Sequence, residues 1–284
     1  MTPEPTPTRR ANEEKPMRYV YFTKSLQKLD VPALVTFLKD CGLDGADLAV
    51  RPGYPVAPDN VATELPKAAK AFKDAGLVIG LVSTPTTLND ADVAASKAIF
   101  EACARAEVPA VKIGYFPYQG KFDAALAEAR RRMAGFAKLA EKTGVRACYH
   151  THSGAMLGNN AAGLRLLLAD LDPHHVGAFL DTGHLAVNGG PIRYELDMAR
   201  QWLSLLAIKD MLWEKNKDVW ESHVVPAGEG IVRWSDVAAG LKEVRFGGTV
   251  SLHAEYEEKD MAKRKELAKA ELAFLKKRFE ARPV

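Results

Sequence analysis

From Met17 onward, short apolar runs alternate with longer segments whose apolar residues recur every three or four positions. These are the signatures of a buried strand and of an amphipathic helix. The runs RYVYF, GADLAV, LVIGLV, AVKIGY, VRACYH, VGAFLD, LLAIKD and TVSLHAE predict eight strands. A helix is predicted over Val31–Cys41, with Val31, Leu34, Val35, Leu38 and Cys41 on one face, Asp30 as its cap and Gly42 as its left-handed stop. The same grammar predicts helices over Ala68–Ala75, Asp90–Ala106, Phe122–Thr143, Asn160–Leu171, Pro191–Leu203, Trp234–Val244 and Met261–Phe279. Eight β-then-α units in about 250 residues predict an α/β fold, a single closed (β/α)8 TIM barrel. A doubly wound open sheet is the rival, but it usually carries a glycine-rich turn after its first strand, and YFTKSLQKLD has no glycine. Residues 1–16, rich in Pro, Thr and charge, read as a disordered tail, and 17–284 as one domain.

Composition narrows the partners. The net charge is only +3, and the Lys and Arg residues are interspersed with Asp and Glu along helical faces, so no basic stripe for nucleic acid forms. No segment approaches the ~20 consecutive apolar residues of a membrane span. Arg9 and Arg10 suggest twin-arginine export, but ANEEKPM follows where an apolar stretch is required. The three cysteines, Cys41, Cys103 and Cys148, are odd in number and fall in two helices and a strand, so a reducing, cytoplasmic setting and a small-molecule partner are expected. No feature bears on the oligomeric state.

In a barrel of this kind chemistry belongs at the C-terminal ends of the strands. Five of the seven histidines fall there or in a following loop: His150 and His152 in ACYHTH, His184 in FLDTGH, His253 in TVSLH, and His223 after LLAIKD. Imidazole titrates near neutrality and is a common metal ligand, so this gathering predicts proton transfer or metal binding. Strand alternation puts His150 and His152 on one face, as it does His253 and Glu255, and Ala207 and Lys209. Asp181 joins them three residues before His184, in a turn that makes a ligand role more natural than a helix cap. His174 and His175 precede a strand and are expected on the opposite, solvent-facing rim.

Four stretches carry a family resemblance: ADLAVRPG, FLDTGH, AIKD followed by PAGEG, and SLHAE. With the order of the units, they make the chain from Met17 to Phe279 resemble the xylose isomerase-like barrel. The branch concerned comprises sugar phosphate isomerases and epimerases, with inosose dehydratases and hydroxypyruvate isomerases. The resemblance implies one divalent metal, held by a Glu, an Asp, a His and a Glu on the fifth to eighth barrel strands. Those positions are His150, Asp181, Ala207 and His253 here, so only Asp181 matches. A His150, Asp181 and His253 set suits Zn, Mn, Co or Fe better than Mg, whose ligands are mainly oxygen. A metal-free mouth, in which these groups bond one another and water, stands beside it.

The expected function is therefore a carbohydrate isomerase or epimerase that abstracts a proton beside a carbonyl and passes through an enediolate. His150 and His253 are the candidate bases, with Glu255 taking that role if His253 is a ligand. Lys209, lowered in pKa by burial near other cations, is a candidate acid or a fixed charge on the enediolate oxygen, unless paired with Asp181, Glu229 or Glu255. His152 and His184 are expected on substrate hydroxyls. Arg51 and Lys112 are expected on substrate oxygens or as counter-ions to Asp181 and Glu255. Trp213, with Trp220 and Tyr54, Tyr115, Phe116 and Tyr118, offers faces for a sugar ring or for local packing. The segment Met211–Ala227 reads as a long loop and a candidate lid, followed by Glu229 as support behind a ligand. No glycine loop cradles a phosphate. Two other readings share the mouth: a dehydratase or lyase acting on a keto-sugar or glycoside, and a non-catalytic sugar-binding barrel. The related nuclease branch needs more metal ligands and a basic groove.

Overall fold

The computed structural model describes residues 16–280; the tail expected over 1–16 lies, but for Pro16, outside them. The chain forms β1 (Arg18–Phe22), β2 (Gly45–Ala49), β3 (Val78–Ser83), β4 (Ala110–Lys112), β5 (Arg146–His150), β6 (Val176–Asp181) and β7 (Leu203–Ile208). A ribbon of β8 (Asp210–Asn216) and β9 (Val219–Val225) comes next, and then β10 (Thr249–Leu252). All strands but the ribbon close a parallel barrel in the order β1-β10-β7-β6-β5-β4-β3-β2. The helices are α1 (Val31–Asp40), α2 (Val61–Asp74), α3 (Ala94–Arg105), α4 (Phe122–Thr143), α5 (Ala161–Leu168), α6 (Thr182–Asn188), α7 (Ile192–Ala199), α8 (Trp234–Val244) and α9 (Met261–Phe279). No helix among the described residues is long and apolar enough to cross a membrane.

Three helices have the expected ends, α4, α8 and α9; Gly144 stops α4 in the left-handed region and the Asp260 carboxylate caps α9. Others shift. Helix α2 begins at Val61 and continues through Pro66, which forgoes one backbone hydrogen bond without ending the helix. Helix α3 begins only at Ala94, because Asp90 and Ser96 close a turn first, with the Asp90 carboxylate accepting from Asp92 N at 2.9 Å. The segment Met211–Ala227 is not an irregular lid but mostly the antiparallel ribbon β8–β9.

Alternation along the strands stacks the barrel interior in layers. Val20, Leu81, Ala110, Cys148, Phe179, Leu205 and Ala207 form an apolar cluster of their own, separate from the larger core between strands and helices. One step further along the strands come Asp47, Ser83, Lys112, His150, Asp181, Ser251 and His253, all buried and all polar. A dry floor thus carries a polar mouth. Gly45 admits the close pairing of β2 with β3, since a Cβ there would fall 1.9 Å from the Val78 carbonyl oxygen. All three cysteines are free and buried.

Helix α9 clamps two of the mouth loops. Glu271 accepts from Ala227 N at 2.9 Å and from Tyr256 Oη at 3.1 Å, while Arg264 donates to the carbonyls of Ala254 and Tyr256. Burial pushes the Glu271 carboxyl up to about 7, against the opposing pull of its hydrogen bonds and Arg264. Since the unfolded group titrates near 4.5, the folded state holds a proton over that interval that the unfolded chain has released. This contribution to stability is complete below about pH 4.5 and is lost as pH rises through about 7, with an upper bound of about 3 kcal/mol. Glu271→Gln, which cannot ionise, is expected to unfold at a higher urea concentration than the wild type at pH 8 and at a similar one at pH 4.5. Equal midpoints at pH 8 would refute the ionisation of Glu271 as the cause.

Candidate active site

Asp181 closes β6 and does two things at once. Its Oδ1 accepts from His184 N at 2.9 Å and so caps α6, a role the sequence disfavoured. Its Oδ2 faces the barrel axis, 3.3 Å from His150 Nε2, 3.7 Å from His253 Nδ1 and 3.9 Å from Lys209 Nζ. Gly183 allows α6 to start against β7, since a Cβ there would come within 3.0 Å of Lys209. Thr182 pins the junction, donating to the Lys209 carbonyl at 2.7 Å and accepting from Lys209 N at 3.0 Å.

His150 and His253 face each other across Asp181 with their rings parallel, 8° apart and 5.4 Å between centroids. Phe179 meets both rings edge-on from the floor. His253 Nε2 lies 3.3 Å from Asp47 Oδ2, which also accepts from Ser251 Oγ at 2.9 Å. With the carboxylate as acceptor, the proton belongs on Nε2, which leaves the lone pair of Nδ1 aimed at Asp181. His150 Nδ1 bonds Tyr115 Oη at 3.2 Å, but His150 Nε2 and Asp181 Oδ2 make no hydrogen bond despite their proximity. Burial holds His150 well below its ordinary range, overriding the pull of Asp181, so its ring is neutral. Asp181 is held well below the carboxylate range: burial opposes ionisation, but His184, Lys209 and His150 outweigh it.

His150, Asp181 and His253 therefore offer three ligand atoms that all lie within 4.8 Å of one another, two of them unpartnered. Two imidazole nitrogens and a carboxylate oxygen set around one point can hold a cation. The group could hold a metal ion, with Asp47 behind His253 as the carboxylate that commonly fixes a ligating imidazole. Ala207 supplies no side-chain donor, which leaves coordination positions open. The other cation in reach is Lys209.

Lys209 is not the depressed lysine expected. Burial pulls its pKa down, but Asp181 and Glu255 overcome this and raise it. Its ammonium lies 2.6 Å from Glu255 Oε2 and donates to His184 Nε2 at 3.2 Å. His184 must then carry its proton on Nδ1, donating to Ser153 Oγ at 2.9 Å, and burial lowers its pKa to about 3, with Lys209 and His152 adding to the effect. His152 stacks on it with ring centroids 3.9 Å apart and donates from Nδ1 to its neighbour's carbonyl, Ser153 O, at 2.8 Å. Glu255 is bridged from outside by Lys24 as well. Burial favours its neutral form, but Lys209, His253 and Lys24 hold it ionised, well below the carboxylate range.

Lys112 is the depressed lysine. Its Nζ is buried, has no hydrogen-bond partner and lies 3.8 Å above the Tyr115 ring; burial first, then the Arg51 charge, lowers its pKa to about 7. Neither Lys112 nor Arg51 forms the expected ion pair with Asp181 or Glu255. Both line a cavity of about 70 Å³ together with His150, His152, Lys209, His253 and Glu255. That volume is small beside the several hundred Å³ of ordinary small-molecule sites, and the Lys24–Glu255 bridge spans its rim. A larger groove of about 840 Å³ lies between α5, α7 and α8, away from these groups.

Three of the expected residues are elsewhere. Trp213 is 44% exposed on the ribbon. His223, also on the ribbon, faces Glu214 at 3.4 Å rather than the mouth. Glu229 is exposed and bonds only through its backbone, to Pro226 O. The carboxylate that holds this stretch is Asp210, which accepts from Met211 N, Gly228 N, Val232 N and Trp234 Nε1 at 2.9–3.1 Å and touches none of His150, Asp181 and His253. Asp47 and Lys24 were missed. A lone aspartate inside ADLAV is a signal in hindsight, because nothing apolar explains it there; Lys24 carries none, since its partner is 231 residues away.

A closed (β/α)8 barrel whose polar mouth can hold a cation is the class that fold and site define. The chain belongs to the xylose isomerase-like TIM barrel family, whose model matches residues 35–278. Among curated proteins none matches significantly. Solved structures share the fold at low identity. A 3-keto-D-glucoside 4-epimerase, YcjR from E. coli, superposes with a TM-score of 0.71 at 14% identity, covering 92% of this chain and 99% of its own. The IolI protein with a bound zinc atom gives 0.77 at 16%, covering 93% and 100%. A D-psicose 3-epimerase with D-fructose gives 0.70 at 15%, covering 93% and 100%.

Proposed function

We propose that the chain is a metal-assisted sugar isomerase or epimerase that moves a proton on the carbon beside a carbonyl. The observation that carries this reading is the convergence of His150 Nε2, Asp181 Oδ2 and a His253 nitrogen on one point, with the first two unpartnered. His150, Asp181 and His253 would hold a divalent transition metal, which would supply Lewis acidity. Of the residues considered as bases, His150 and His253 turn their free nitrogens toward Asp181, which suits ligands, so the proton falls to Glu255. Its carboxylate lines the cavity and starts ionised. Lys24 and Lys209 weaken it as a base, so proton transfer requires one of them to shift onto a substrate oxygen. Lys209 is suited to that shift, being protonated and already shared between Glu255 and Asp181. Neutral His152 and His184 orient hydroxyl groups. Relatives that bind D-fructose or act on 3-keto-D-glucosides support a sugar as the substrate class.

The test combines metal analysis of protein purified without an affinity histidine tag with incubation of the loaded protein and keto-sugars in D2O. The expected result is stoichiometric Zn, Mn, Co or Fe, with deuterium entering the sugar beside its carbonyl. Loss of water or an alcohol from the sugar would reassign the same enolate chemistry to elimination. Tight sugar binding with no deuterium uptake would leave a binding protein.

A further inference from the structure

Arg51 and Lys112 stand out from the other cations of the mouth because neither is paired with a carboxylate, although Asp47 and Glu255 are near enough to act on the Lys112 charge. Lys24 and Lys209 share Glu255, and Asp181 is engaged by the cap of α6 and by the groups converging on its Oδ2. By contrast, Arg51 Nε and Lys112 Nζ are buried without a hydrogen-bond partner, and neither side chain forms an ion pair with a carboxylate among the described residues. Each lies over an aromatic ring, the guanidinium over Phe22 at 5.3 Å and the ammonium over Tyr115 at 3.8 Å. Both side chains line the same cavity as His150 and His253. Two unpaired cations in a low-dielectric enclosure repel each other and each lacks its hydration. A neutral hydroxyl relieves the second cost but not the first; an anion relieves both.

We propose that Arg51 and Lys112 form an anion subsite for a carboxylate carried by the substrate, so that the compound acted on is a sugar acid and not a neutral sugar. A carboxylate fits better than a phosphate. Its two oxygens match one planar guanidinium and one ammonium, whereas phosphate sites draw on several free backbone N–H groups of a glycine turn; in the turn beside Arg51, Pro52 has no N–H and Tyr54 N is spent on the Arg51 carbonyl at 3.1 Å. Burial first and then the Arg51 charge depress Lys112, outweighing the opposing pull of Asp47 and Glu255. The inference rests on the sugar-enolisation reading for the rest of the substrate.

Calorimetric titration of the full chain with D-glucuronate, D-glucose and D-glucose 6-phosphate tests it, since the three differ in the charge at one carbon. D-Glucuronate is expected to bind about tenfold or more tightly than D-glucose, the scale of one charge-assisted hydrogen bond. Lys112→Met and Arg51→Met, each checked for folding by circular dichroism, are expected to remove that preference. Equal binding of glucuronate and glucose, no detectable glucuronate binding, or a preference that survives both substitutions would overturn the proposal, and so would tighter binding of the phosphate. The readout is independent of catalysis. Deuterium uptake into neutral keto-sugars without a charge preference would sink the subsite and spare the enzyme; a charge preference without deuterium uptake would do the reverse.

Discussion

Asp181→Asn is expected to leave the barrel folded while stripping it of metal and lowering turnover about 10³-fold or more. The two oxygens of Asp181 serve different ends. Asparagine keeps an acceptor for His184 N and is a good helix cap, so α6 survives. The substitution removes the anionic Oδ2 that faces His150, His253 and Lys209. Losing the one charged ligand of three takes away several kcal/mol of support for a bound cation and for the charge developing on a carbonyl, and about 4 kcal/mol is a factor of 10³ in rate. Metal content by mass spectrometry and deuterium exchange into the sugar are the measurements. A D181N protein that keeps stoichiometric metal and unchanged exchange would remove Asp181 from the chemistry. Asp181→Ala should lose the same function and about 1 kcal/mol of stability besides, because the cap goes too.

Asp210→Ala is expected to cost roughly 3–5 kcal/mol of folding stability, with little direct effect on the metal group. The carboxylate is buried and accepts four hydrogen bonds, three from backbone N–H groups and one from the Trp234 indole. Removing it strands those donors where water cannot reach all of them, at about 1–3 kcal/mol each, the sum being less than additive. Asp210→Asn should fall between, since its amide would turn donors toward Gly228 N and Trp234 Nε1. Urea unfolding gives the values. A loss below about 1 kcal/mol for the alanine variant would mean that the return from the ribbon is not held by this residue.

The barrel was legible because strand and helix periods alternate cleanly, and because signals such as Gly144 after α4 and Asp260 before α9 act locally. Helix α6 was not, because it begins with no connecting residue after β6, inside the DTGH stretch that reads as a turn. The ribbon was hidden by its turn. Asn216 pairs with Val219, so Lys217 and Asp218 form a two-residue hairpin loop with Lys217 at φ 55°, a conformation usually marked by glycine or asparagine. At the mouth, His150, Asp181, Lys209 and His253 could be read because each closes its strand. Asp47 could not, since a bulge between Ala46 and Asp47 shifts β2 against β3 and sets its depth in the barrel. Pairings such as Lys24 with Glu255, or the lack of any partner for Lys112, depend on contacts between residues far apart in the chain and leave no local trace.

The double engagement of Asp181 also accounts for which positions depart from the family pattern. In the ligand set that the resemblance implies, a carboxylate that serves only as a ligand can be exchanged for an imidazole with the backbone undisturbed, as at positions 150 and 253, and an imidazole can be given up altogether, as at 207. Position 181 has less freedom, because a residue there that cannot accept from His184 N weakens the start of a helix as well as the proposed metal group. Two duties thus tie down one member of the set, and positions 150 and 253 are where the choice of the proposed ion could be retuned.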